Sequence, residues 1–166
     1  DAFSANIGAG VSSTSDGGTG YELDGAVNIP LSDSVAIRLA GFSARDAGFI
    51  DNVLGSTVVD DVFGSGLGGQ KDNSGMVGED INEVNWLGAR ASIRWLVNDN
   101  WSVTATANYQ DLESDGFNDY DPSVGDLETI KFVQETRTDE GRLSSLIIEG
   151  GLCFAQFVSA RSYYDR

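Results

Sequence analysis

Apolar and polar residues alternate with a period of two along much of the chain. Residues 3–12 set Phe3, Ala5, Ile7, Ala9 and Val11 against Ser4, Asn6, Gly8, Gly10 and Ser12. Residues 21–29 set Tyr21, Leu23, Val27 and Ile29 against Glu22, Asp24 and Asn28. Residues 35–45 follow more loosely, with Val35, Ile37 and Leu39 opposite Arg38. Residues 87–95 put Leu87, Ala89, Ala91, Ile93 and Trp95 opposite Arg90, Ser92 and Arg94. Residues 101–110 are the cleanest case, Trp101, Val103, Ala105, Ala107 and Tyr109 against Ser102, Thr104, Thr106, Asn108 and Gln110. Alternation over nine or ten residues predicts β-strands with one apolar and one polar face. Two further strands are predicted near 142–150 and 153–164. Ile147 and Phe157 break their patterns and leave their facing open. No segment carries a convincing helical period, so the predicted class is all-β, with about seven strands.

The connections alternate in length. Short turns are predicted at Pro30-Leu31-Ser32-Asp33-Ser34, at Val97-Asn98-Asp99-Asn100 and near Gly150-Gly151, each with turn-forming residues. The other connections are residues 13–20 and two long loops, about 46–83 and 113–140. Loops of this length are uncommon in compact domains and are usually functional or disordered. Short turns at one end and long loops at the other, joined by strands of about ten residues, predict an antiparallel up-and-down meander of the outer-membrane β-barrel kind. The physical reason is that a strand in hydrocarbon must pair on both sides, with lipid against its apolar face and a polar lumen against the other. Phe3, Trp95 and Trp101 fall at the short-turn end, and Tyr21, Tyr109 and Tyr163 or Tyr164 at the long-loop end. This placement predicts two aromatic belts. The competing arrangement for such alternation is a soluble β-sandwich with one solvated face.

Charge sharpens this division. The chain has 166 residues and a net charge of −16, from 26 acidic and 10 basic residues. Residues 46–83 hold eight acids and one base, and residues 113–140 nine acids and two bases, so each loop carries −7 and the scaffold −2. Such a chain is a poor nucleic-acid binder. It has no His, which excludes a catalytic triad and an imidazole metal site, and its one Cys, Cys153, excludes a disulfide framework and a thiolate zinc site. No stretch of about 18 apolar residues predicts a transmembrane helix, and Asp1-Ala2-Phe3-Ser4-Ala5 is not a basic and apolar leader. No nucleophile–base or acid–base pair has catalytic spacing, so no enzyme is predicted.

Several runs resemble the early barrel of TonB-dependent outer-membrane receptors. They are Val27-Asn28-Ile29-Pro30-Leu31-Ser32-Asp33-Ser34-Val35-Ala36-Ile37-Arg38 with Gly41-Phe42, and Asp46-Ala47-Gly48-Phe49-Ile50-Asp51-Asn52. So are Gly88-Ala89-Arg90-Ala91-Ser92-Ile93-Arg94-Trp95 with Asn98-Asp99-Asn100-Trp101, and Tyr109-Gln110-Asp111 with Asp115-Gly116-Phe117-Asn118-Asp119-Tyr120. The closing Ser159-Ala160-Arg161-Ser162-Tyr163-Tyr164-Asp165 fits as well. The resemblance implies a 22-stranded barrel in the outer membrane of a Gram-negative bacterium, filled by an N-terminal plug. It implies uptake of a scarce small molecule such as a siderophore, cobalamin or saccharide, driven by the TonB complex acting on the plug. Residues 1–166 then correspond to an incomplete segment of that barrel, about its first third, with the plug and the remaining strands absent. The alternative functions are a secreted or surface β-sandwich used as an adhesin or glycan-binding module, and a small stand-alone structural barrel with one further strand.

The candidate site residues are Arg38, Arg90 and Arg94, which alternate onto the polar face. They would contact plug carboxylates or an anionic substrate, or else pair with Glu22, Asp24 or neighbouring strands as a lumen charge ladder. An Arg facing lipid would cost about 2–4 kcal/mol at mid-membrane, which assigns all three inward. Asp115, Asp119, Asp121 and Asp126 could offer oxygen ligands to Ca²⁺, without EF-hand spacing; otherwise they form an acidic solvated loop. No other cofactor is implied. Gly64 to Lys71 superficially resembles a phosphate loop but lacks the Gly-Lys-Ser/Thr ending and a following helix, so no phosphate site is assigned. The sequon Asn100-Trp101-Ser102 falls in a short turn on the side away from the long loops and carries no glycan role. Two acidic loops favour neutral or cationic ligands, although bound Ca²⁺ would reverse the local sign.

Overall fold

The computed structural model describes residues 2–66 and 68–166. Leu67, inside the Gly64–Lys71 run, lies outside the described residues. Among the described residues, eleven strands occur in chain order: β1 Ser4–Ser13, β2 Thr19–Pro30, β3 Val35–Asp46, β4 Asp51–Asn52, β5 Ser56–Val59, β6 Gly69–Asp72, β7 Val84–Asn98, β8 Trp101–Ser114, β9 Glu128–Thr129, β10 Arg137–Leu152 and β11 Ala155–Asp165. Seven of them form one antiparallel sheet in the order β1-β2-β3-β7-β8-β10-β11. Each long strand pairs with the next long strand in the chain, which makes an up-and-down meander. The sheet is open, with β1 and β11 at its two edges.

The strands form where the alternation is strongest, and the ladder keeps one parity on each face. Ser4, Asn28, Arg38, Ser92, Thr106, Ser145 and Ser162 follow one another across the seven strands as direct partners. The other face carries Ile7, Leu23, Leu39, Leu87, Ile93 and Trp95, all well exposed. Facing at β10 and β11, which alternation leaves open, is set by pairing. Arg161 stands opposite Leu146, so Leu146, Ile148, Phe157 and Tyr163 join the apolar face with Ser144, Ser159 and Arg161 among them. The apolar character therefore fades toward the β11 edge, where a long Arg side chain can reach past its neighbours.

Register also fixes tilt. Ser162 lies seven residues beyond Ala155, the start of β11, yet shares a ladder row with Ser4, the first residue of β1, six strand steps away. From Val35, the row reaches Ser159 after four steps, four residues into β11. A stagger of about one residue per strand, with a rise of ~3.3 Å and a spacing of ~4.8 Å, corresponds to strands inclined by about 35–40°. That is the inclination of closed membrane barrels.

Short turns join β2 to β3, β7 to β8 and β10 to β11. The third is Cys153-Phe154 rather than Gly150-Gly151, which are paired residues of β10. Gly150 is needed in the strand because the Trp101 ring lies over it, where a Cβ would collide. Trp101 also meets Phe157, with ring centroids 5.7 Å apart. The second long loop ends earlier than the acidic run suggests, because residues 137–140 extend β10 to pair with β8. Among the described residues, the buried apolar side chains are Ala47 and Ile50, and both lie in the first long loop. The seven-stranded sheet itself encloses no hydrophobic core.

Candidate functional site

The polar face is concave. A hollow of about 710 Å³ is lined by residues from β1 to β11, among them Asn6, Asp24, Phe42, Arg90, Gln110 and Tyr164. Residues of the first and last strands can line one hollow only if the sheet curls toward its polar side. The Phe42 ring lies over Gly88, its partner on β7, where any Cβ would enter the ring.

The three candidate arginines are brought together by register. Arg38 on β3 stands directly opposite Ser92 on β7, which lies between Arg90 and Arg94. Arg38 is thus the diagonal neighbour of both, at about 7–8 Å. Arg38 and Arg90 line the hollow, and Arg94 lies toward the short turns. The Ser92 hydroxyl is 3.0 Å from that of Thr106 on β8 at the centre of the cluster. Two like charges at about 8 Å repel by roughly 0.5 kcal/mol in water and about 2 kcal/mol at an effective dielectric of 20.

The expected charge ladder does not form. Among the described residues, Arg38, Arg90 and Arg94 have no ion pair and no side-chain hydrogen bond. The reason lies in where the nearby carboxylates point. Asp24 lies across Gly8 and Glu22 across Gly10, both toward β1 and away from β3. Asp139 accepts from Arg166 Nε at 2.7 Å, and Glu149 accepts from the Ser102 hydroxyl at 3.3 Å. No carboxylate shares the concave face between Ala36 and Ala44, Trp86 and Leu96, or Ser102 and Leu112. Asp46, at the long-loop end, accepts from Trp86 Nε1 at 3.0 Å.

The long loops are not two separate excursions. Asp51 and Asn52 of β4 pair in parallel with Glu128 and Thr129 of β9, which ties the first loop to the second. Three buried asparagines complete the junction. Asn52 donates to Met76 O at 2.6 Å and Lys131 O at 3.1 Å, and accepts from Lys131 N at 2.7 Å. Asn73 donates to Val53 O at 2.8 Å and accepts from Gly55 N at 2.7 Å. The Asn82 side-chain oxygen accepts from Phe49 N at 2.7 Å and Ile50 N at 2.9 Å, and its amide donates to Asn118 at 2.7 Å. An amide side chain offers both donor and acceptor, so it can satisfy backbone where no strand ladder exists. Leu127 holds a left-handed φ of 58° beside this bridge, and its carbonyl accepts from Asp51 N at 2.9 Å. A bulky residue in that region stores strain of about 1–3 kcal/mol, which the junction sustains.

Ion pairs flank the junction. Glu83 bonds Arg45, and the guanidinium holds its carboxyl below the usual range. Lys131 bridges Asp119, at 2.8 Å, and Glu135. Burial works against the Lys131 charge, but these two carboxylates outweigh it and raise its pKa; Lys131 in turn lowers that of Asp119.

The possible calcium ligands are not assembled. Asp119 is held by Lys131, Asp121 accepts from Ser123 N and Oγ at 2.9 and 2.6 Å, and no three such groups converge among the described residues. In the Gly64–Lys71 run, the backbone N–H groups of Ser65 and Gly66 donate to Asp61 at 2.7 Å each and so turn inward on the chain's own carboxylate. Cys153 is exposed in the β10–β11 turn. Sequence reasoning missed the asparagine junction. Asn52, Asn73 and Asn82 each look like an ordinary loop residue, and only their mutual proximity distinguishes them. No protein-family model, no curated protein and no solved structure matches this chain.

Proposed function

We propose that this chain is a segment of an outer-membrane β-barrel, and that the barrel is that of a TonB-dependent receptor taking up a scarce small molecule. One observation carries the membrane reading: a seven-stranded sheet whose apolar face, unbroken from β1 to β8 and mixed with polar residues toward β11, is covered by nothing among the described residues. A soluble sandwich must lay a second sheet over such a face, about 10 Å away. The other sheets here are two-stranded, β4–β9 and β5–β6, and belong to the loops. A stand-alone small barrel must close, and this sheet is open.

Supporting details concern size and edges. Trp101 and Tyr109 lie eight residues apart on the apolar face, about 26 Å along the strand and roughly 20 Å along the normal at the inferred tilt. That is close to the apolar band of such barrels, ~25 Å tall. Open edges at β1 and β11 would pair with the further strands of a complete barrel. The receptor assignment rests on the sequence resemblance, with its implied plug, TonB complex and outer-membrane location.

Brominated-lipid quenching tests the membrane reading. In a Trp86→Phe variant reconstituted in vesicles, bromolipids quench Trp95 and Trp101, and aqueous acrylamide does not. Folding to the same sheet in lipid-free buffer, with no bromolipid quenching, overturns it. For the receptor assignment, solute uptake by the host should require both this gene and an active TonB complex.

A further inference from the structure

Among the described residues, one ionisable side chain of the seven long strands points to the apolar face below the level of Tyr109 and Tyr163: Arg161 on β11. We infer that Arg161, with the hydroxyls of Ser144, Ser159 and Tyr163, binds the phosphate of an anionic phospholipid in the leaflet on the long-loop side. The inference rests on the membrane reading and narrows it to one headgroup chemistry.

Register fixes the depth of Arg161. Tyr163 shares a ladder row with Ser144 and Ala107, and Ala107 lies two residues short of Tyr109. A stagger of about one residue per strand, over the two steps from β8 to β11, restores that difference and brings the two tyrosines to one height. Arg161 is two residues before Tyr163, about 6.6 Å along the strand and roughly 5 Å along the normal at the inferred tilt. The cost of an Arg facing lipid falls toward the interface. Its long stem can carry the guanidinium up to the tyrosine level, where headgroups begin. A further strand beside β11 would pair with its backbone edge and leave this side chain facing outward, because side chains stand perpendicular to a sheet.

The surroundings are a set of donors without an acceptor. On the same face, Leu146 stands opposite Arg161, Ser144 is its diagonal neighbour, and Ser159 and Tyr163 flank it along β11. Among the described residues, Arg161, Ser144, Ser159 and Tyr163 have no ion pair and no side-chain hydrogen bond. Donors left unpaired at the edge of hydrocarbon are costly. A phosphate offers oxygens to the guanidinium fork and to the hydroxyls together. Leu146, Ile148 and Phe157 give an acyl chain an apolar surface beside them, which favours a lipid over free phosphate. A second copy of the chain would have to bring a carboxylate to this depth. Among the described residues, the carboxylates on this face of the long strands, Asp111, Glu113, Glu140 and Asp165, all lie beyond the tyrosines toward the loops. Glu140 is also bonded to Arg142.

The test is native mass spectrometry of the protein in a non-ionic detergent, titrated with phosphatidylglycerol and with phosphatidylcholine of the same acyl chains. Phosphatidylglycerol should bind about tenfold more tightly than phosphatidylcholine, whose choline neutralises the phosphate. Arg161→Gln should remove that preference, a loss of about tenfold for one charged hydrogen-bonding group. Arg161→Lys, which keeps the charge but not the fork, should fall between the two. Lys71→Gln, which removes the same charge from the first loop, should change nothing. Equal preference in the wild type and Arg161→Gln overturns the inference, as does equal binding of the two lipids by the wild type. Displacement of phosphatidylglycerol by millimolar inorganic phosphate overturns it in favour of a free-phosphate site. A wild-type dimer that Arg161→Gln abolishes overturns it in favour of a second copy. Unaltered circular dichroism of the variants shows that a loss is not misfolding. Bromolipid quenching reports on the membrane reading separately, so quenching without a preference for phosphatidylglycerol overturns the lipid site alone.

Discussion

Asn52→Ala should undock the two long loops without disturbing the sheet. Asn52 is 2% exposed and joins three segments of backbone, at Met76, Lys131 and, through Asn73, Val53. Alanine removes the donors to Met76 O and Lys131 O and the acceptor for Lys131 N. Lys131 O keeps a bond from Asn73 Nδ2 at 3.2 Å, so two backbone groups lose this partner, Met76 O and Lys131 N. A buried polar group left unsatisfied costs about 1–3 kcal/mol, which puts the loss at roughly 2–6 kcal/mol for the junction. A loop unit whose apolar core is Ala47 and Ile50 has little else to absorb this. Hydrogen exchange of the protein in detergent provides the assay. The amides of Ile50, Gly55 and Lys131, which bond to asparagine oxygens, should lose protection by about thirtyfold or more, the factor equivalent to the lower bound of about 2 kcal/mol. Amides at the centres of β7 and β8 should not change. Unchanged protection in the loops would refute the argument, and so would equal loss in loops and strands, because the loops would then not be a separable unit.

Other consequences are equally specific. Gly48→Ala should open the same junction, because its Cβ would meet the Asp80 backbone, and limited proteolysis of residues 53–79 should accelerate. Ile93→Arg should destabilise the sheet by about 2–4 kcal/mol in bilayers, and Ser92→Arg, one residue away on the concave face, by much less; refolding titrations in lipid vesicles compare them. The junction should also have a pH window. Glu83 and Asp119 have lowered pKa values when folded, so their stabilisation is complete above the ordinary carboxylate range and is lost as pH falls through the depressed values, below about pH 4. Lys131 has a raised value, so its contribution is complete below its ordinary range and is lost as pH rises through the raised value, above about pH 10. Proteolytic susceptibility of the loops across pH should show protection between those limits.

What the sequence by itself determined is the local part of the structure. Period-two alternation identified five of the seven long strands, the last two were placed from less regular runs, and the short turns followed from turn-forming residues at 30–34 and 97–100. The parity of Arg38, Arg90 and Arg94 placed them on the polar face, because alternation is a property of consecutive residues and survives whatever lies next to the strand. Misplacing the third turn by a few residues has the same origin. Gly150 and Gly151 have turn propensity, yet both are paired residues of β10, and Gly150 makes room there for Trp101.

Tertiary structure alone decided how distant positions meet. Register set Arg38 opposite Ser92, so that three separate arginines became one cluster, and it turned Asp24 and Glu22 away through glycines on β1. It settled the facing of β11, where Phe157 and Arg161 share a side. It joined two acidic runs, which composition describes as alike and separate, through Asn52, Asn73 and Asn82. Hydrogen bonds between residues tens of positions apart leave no periodic trace in the chain. Their partners become neighbours only after the strands have paired.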